Sequence, residues 1–131
     1  EKVMLFIFFK HDYVARRLKE DVYSGGYAAP GGHEDFVVTL NVQPLSSDEL
    51  QALPEGERTI KRIKAIGVNQ FNPTDEETGT QGDRLYYEGK WYECKSCQLW
   101  DHTILSHYES EFVEMSPGSE GIGPPELEVS R

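Results

Sequence analysis

The sequence predicts a mainly β protein: a small antiparallel β-barrel or sandwich with one short helix and long loops. Three observations lead there. Five or six short runs are rich in β-branched and aromatic residues. One segment carries a complete helix-start signal, and the stretches between runs are dense in Gly, Pro, Asn and Asp. A chain of 131 residues fits one domain, whose core at that size removes roughly two thirds of the unfolded surface from water. The expected division is a single β-barrel domain over 1–115, with a loop over 11–35, and an extended or disordered acidic tail over 116–131.

The first element expected is a strand over 3–10, where Phe6, Ile7, Phe8 and Phe9 run together with few polar breaks. Asp12 then has the side chain to cap a short helix carrying Val14, Leu18 and Val22 on one face. The following SGGYAAPGGHED reads as a long flexible loop, because four glycines and a proline within 25–32 disfavour regular structure. Residues 36–42 alternate as a strand.

The segment Leu45-Ser46-Ser47-Asp48-Glu49-Leu50 is a capping box. Ser46 at the N-cap can accept from the amide of Glu49, whose carboxylate reaches back. Leu45 and Leu50 occupy the staple positions, and Pro54 ends the helix, so 47–53 is expected to be helical with Leu50 and Leu53 on the core. Residues 59–68 are strand-like, but Ile60, Ile63 and Ile66 recur every three residues, which suggests a bulged or edge strand. NQFNPTDEETGTQGD over 69–83 reads as a long surface loop. Residues 84–88 and 90–97 flank Gly89 as a hairpin, and a last strand is expected over 104–115.

Thirteen Lys+Arg against 23 Asp+Glu give a formal charge of −10, which opposes wrapping of phosphate backbones. The longest apolar run, at 3–9, is far short of the ~20 residues that span a bilayer, and it lacks a small-residue cleavage site, so neither a membrane partner nor a retained signal peptide is expected. The chain opens on Glu1 rather than Met, from which removal or omission of a preceding segment is expected.

Cys94 and Cys97 are the two cysteines, too few for a disulfide framework and more typical of a reducing compartment. With His102 and His107 their spacing approaches a zinc knuckle. The turn glycines of a knuckle are missing, however, and residues three apart on a strand face opposite sides. The plainer reading is one buried thiol, one rim thiol and two surface histidines, with no metal and no cofactor. Ser106-His107 and Asp101-His102 are adjacent pairs without a nucleophile elbow. Glu109, Glu111 and Glu114 read as a solvated acidic strand, and no catalytic set converges. The glycines at 25–26 and 31–32 form no phosphate loop. Tyr86, Tyr87, Trp91, Tyr92 and Trp100 lack the basic groove of a single-strand binder, so core and subunit-interface packing accounts for them better.

Three stretches carry a family resemblance. LNVQPLSSDELQALPEGERT at 40–59 resembles the "VQPLSxxELxxLPEGERT" segment of head–tail connector proteins of tailed bacteriophages, also described as collar, head-closure or stopper proteins. GDRLYYEGKWYE at 82–93 is similar to their "D-x-x-x-Y-x-G-x-x-Y-x-V" hairpin, and Trp100 with Ser106-His107-Tyr108 fits their "W…GHY" stretch. The matches span about 36–112. Family members tend to be aliphatic where Cys94 stands, and residues 1–35 and the acidic tail match nothing in the pattern.

The resemblance implies a β-barrel subunit of a homo-oligomeric ring, usually a dodecamer, assembled in the host cytoplasm and located at the virion neck. Its partners would be the portal or adaptor ring on one side and a tail-completion or tail-tube protein on the other. Genomic DNA would pass through without specific binding, and a negative wall suits such a channel because it repels phosphate. A tail-completion or tail-terminator role, one ring lower, is the alternative within this class; a small zinc-binding module is the alternative from another. Two segments are candidate gating or docking loops: Gly25, Gly26, Tyr27, Pro30, Gly31 and Gly32 in one, Asp75, Glu76 and Glu77 in the other. The simpler reading of both is a passive surface loop.

Overall fold

The computed structural model describes residues 10–19, 22–24, 27–29, 32–57, 60–101, 106–115 and 125. Its strands are β1 (His11–Leu18), β2 (Val22–Ser24), β3 (Tyr27–Ala29), β4 (His33–Pro44), β5 (Arg62–Gly67), β6 (Arg84–Tyr87), β7 (Lys90–Asp101) and β8 (Ser106–Glu114). One helix, α1 (Ser47–Gln51), and a 3-10 turn at Glu55–Glu57 join β4 to β5. Six strands close into an antiparallel barrel in the order β1-β4-β5-β8-β7-β6, while β2 and β3 form a separate two-stranded sheet among the described residues. The mainly β expectation therefore holds, with a closed sheet.

Strand alternation fills the barrel. Tyr13 and Ala15 of β1, Val38 and Leu40 of β4, Ile63 and Ala65 of β5, Leu85 of β6, Tyr92 and Cys94 of β7 and Phe112 of β8 form one buried cluster. The register places them side by side: Tyr13 opposite Val38, Ala15 opposite Leu85, Ile63 opposite Phe112 and Cys94 opposite Phe112. Closure rests on the shortest ladder, three pairs linking Val14, Ala15 and Arg16 to Tyr86, Leu85 and Arg84.

The helix start is as the sequence predicts. Ser46 Oγ accepts from the Glu49 amide at 3.2 Å, and Glu49 Oε1 accepts from the Ser46 amide at 3.0 Å. Leu45 is buried, but Leu50 and Leu53 are only half-buried, because the helix docks on the barrel wall through Glu49 instead. Lys64, on the outer face of β5, donates to both Glu49 carboxylate oxygens at 2.9 Å. The β6–β7 hairpin also appears as expected: Glu88 (φ 50°) and Gly89 (φ 81°) form its two-residue turn after the pair Tyr87–Lys90. Two consecutive left-handed residues are what a tight hairpin twisted like its strands requires.

Several expectations need correction. The strand expected over 3–10 falls, apart from Lys10, outside the described residues. The helix expected from Asp12 is β1, and the loop expected over 11–35 is mostly strand. Its glycine-rich part contains the paired β2 and β3, with Ser24 opposite Tyr27, and β4 begins at His33. Glycine weakens a strand interior but suits the reversals between short strands. β5 is neither an edge nor bulged: β4 and β8 flank it in continuous register. The spacing of its isoleucines arises because Ile63 faces the interior and Ile66 the outer wall, where it is also fully covered.

Candidate functional site

The strand directions gather the projecting parts at one end. β1 leads away from that end's rim and returns as β4, pairing as far as Leu18–His33, with the β2–β3 pair beyond. β7 and β8 pair as far as Asp101–Ser106, past Tyr108, the last residue that β5 pairs on β8. In the closed order these two ribbons stand on opposite walls, with β5 and β6 between them. The segment 68–83 runs from the end of β5 to the start of β6, so it crosses the barrel mouth between the ribbons.

That segment is the surface loop its composition suggests, exposed over most of its length, but it is fastened to the barrel as a strap. Phe71 is 2% exposed, part of the core, and meets Phe112 edge-on at 5.1 Å between ring centres. Its amide donates to Cys97 Sγ at 3.4 Å. Asp83 anchors the strap's far end. Its carboxylate accepts from Arg17 Nε at 3.0 Å, Arg17 Nη2 at 2.9 Å and the Asn72 amide at 2.8 Å. Its backbone donates to Asn72 O at 2.8 Å and accepts from the Cys94 amide at 2.9 Å. The hydrogen bond to Asp83 raises the Arg17 pKa above its ordinary value against the desolvation that opposes it. Arg17 also lies over the Phe36 ring at 5.3 Å. Gly82 has no room for a side chain, since a Cβ there would lie 2.7 Å from Asn72 O and 2.8 Å from the Pro73 carbonyl carbon.

On the barrel's outer face nearby, Arg16 grips Asp35 with two bonds, 2.7 and 3.0 Å, and stacks on Trp91 at 4.4 Å. These ion pairs were invisible to local pattern, because each joins residues far apart in sequence.

The cysteines are one buried and one part-exposed thiol, as the sequence suggests, but they do not face opposite sides. A bulge between Cys94 and Ser96 shifts the β7 register, so Cys94 faces Phe112 and Cys97 faces Ser110, both toward the interior. Residues three apart thus share a face, because the extra bulge residue restores the alternation. Cys94 is fully buried, and burial, aided by the nearby Cys97 and Asp83, pushes its thiol up to about 12. His107 is opposite Trp100 on the outer face of β8 and is buried, not a surface histidine; His102 lies outside the described residues. Inner thiols and an outer imidazole cannot share one ion, and no group of three or more His, Cys, Asp or Glu side chains suited to a metal occurs among the described residues.

Among the described residues, the carboxylates and hydroxyls that the sequence singles out stand apart from one another. Glu109 and Glu111 face outward, Glu109 toward Lys64 at 3.9 Å and Glu111 accepting from Ser96 Oγ at 3.3 Å, whereas Glu114 pairs with Lys90 at 3.2 Å beside Tyr92. Ser106 Oγ donates to Asp101 at 2.5 Å on the exposed ribbon, with His107 turned to the opposite face. The aromatic residues divide between walls. Tyr87 and Tyr92 meet inside at 5.9 Å, Tyr86 and Trp91 meet outside at 5.0 Å, and Trp100 is 37% exposed on the ribbon.

Of the two candidate loops, Gly25, Gly26, Pro30 and Gly31 lie outside the described residues. Tyr27 begins β3, and Gly32 (φ 78°) accepts the Lys19 amide at 3.0 Å where the ribbon narrows. Asp75 bridges to Thr80, and the Glu77 amide donates to Asp75 Oδ1 at 3.0 Å, so Asp75, Glu76 and Glu77 form an exposed turn on the strap. Comparison with known protein families and with curated proteins gives no match. Among the described residues no helix is long and apolar enough to cross a membrane.

Proposed function

We propose that this protein is a non-catalytic structural subunit of a bacteriophage neck: one member of a ring below the portal that closes the DNA-filled head and joins it to the tail. The observation that carries the reading is the segment LNVQPLSSDELQALPEGERT, whose likeness to connector proteins covers one structural unit, the end of β4, the capped helix and the turn leading to β5. Two physical features support it. The barrel interior is filled by side chains, which suits a wall element better than a container. A charge of −10 per subunit, repeated around a ring, would keep passing DNA from adhering. In this reading the ribbon end is the docking face, and the β2–β3 ribbon and the turn at Asp75, Glu76 and Glu77 are the elements that meet neighbouring rings.

The deciding experiment is particle production without the protein, read by electron microscopy and by nuclease sensitivity of the packaged genome. Filled heads that leak DNA and carry no tail are expected. Tailed, nuclease-resistant particles would overturn the proposal, and stable full heads beside free tails would move the protein one ring lower, to tail completion. Images of the purified protein should show rings with a central channel.

A further inference from the structure

We draw no further inference here: the strongest candidate, the separately exposed apolar side chains of Val37, Val68, Leu99 and Trp100 toward the ribbon-bearing end of the barrel, carries nothing because nothing in the structure shows what covers them.

Discussion

Removing the Arg17 guanidinium tests whether the strap is part of the fold. Arg17→Met keeps an unbranched aliphatic stem but deletes both bonds to Asp83 and the guanidinium's contact with the Phe36 ring. The two partners are unequal: the Arg17 side chain is 44% exposed and the Asp83 side chain 2%. An exposed pair contributes about 0–1 kcal/mol, whereas stranding a buried charge costs about 3–5 kcal/mol. With Asp83 buried but still accepting the Asn72 amide, the loss should fall between, at about 2–3 kcal/mol. For a domain of this size that is a fall in Tm of about 8–12 °C. Asp83→Asn leaves Arg17 free to rehydrate but puts an amide against three donors, and should cost about 2 kcal/mol. The double variant should cost about 1–2 kcal/mol less than the sum, since the stranded charge is then gone. Urea unfolding followed by circular dichroism reads all three. A loss below 0.5 kcal/mol (about the scatter of neutral surface changes) for Arg17→Met, or strict additivity, would refute the reasoning.

Further outcomes follow from single sites. Desolvation works against it, but the Lys64 ammonium and the Ser46 amide and hydroxyl hold the Glu49 carboxyl down, from its ordinary 4.5 to about 2. A lowered carboxyl stabilises fully above its unfolded value and loses that contribution as pH falls toward the folded one. With the Glu49 side chain 36% exposed, screening reduces the effect to about 1 kcal/mol; Glu49→Gln should be less stable by that amount at pH 7 and indistinguishable near pH 2 in urea titrations at both pH values. Gly82→Ala forces a Cβ against backbone atoms of residues 72–74 and should cost about 2–3 kcal/mol, with thermal unfolding as the readout; an unchanged Tm would show the strap to be loosely placed. Cys94 is fully buried and its thiol is pushed up to about 12, so little of it is thiolate near neutral pH. It should resist a disulfide reagent until the protein unfolds, and mass spectrometry of native protein labelled rapidly at Cys94 would contradict that.

What the sequence made legible was local. The capping box needs only residues 46–49, and the β6–β7 turn needs only Gly89 between two aromatic-rich runs. β1 was misleading because Val14, Leu18 and Val22 fall at helical intervals, while the residues that enter the core are Tyr13 and Ala15. Its two arginines look like a solvated helix face until Asp35 and Asp83 arrive from elsewhere in the chain. The face shared by Cys94 and Cys97 depends on a bulge set by β8, a partner no spacing rule on β7 contains. In the strap, Pro, Gly and acids describe its exposed turn correctly and conceal Phe71, a single apolar residue among polar ones.

The three-pair seam between β1 and β6 sets an order of events. β6, β7 and β8 are joined by short connections and can zip locally, whereas Ala15 must find Leu85 across about 70 residues of chain, a closure whose entropy is recovered only once the ladder forms. The seam is therefore the last ladder to assemble and the first to part, with the Arg17–Asp83 pair clasping one end of it. Amide exchange at Ala15 and Leu85 should accordingly report a lower opening energy than at Ile63 and Phe112, and equal protection at all four would mean the barrel opens as one cooperative unit. A cylinder that can briefly become an open sheet at one fixed line offers its newly exposed strand edges to any neighbouring molecule, so the strength of that line governs how the protein tolerates crowding.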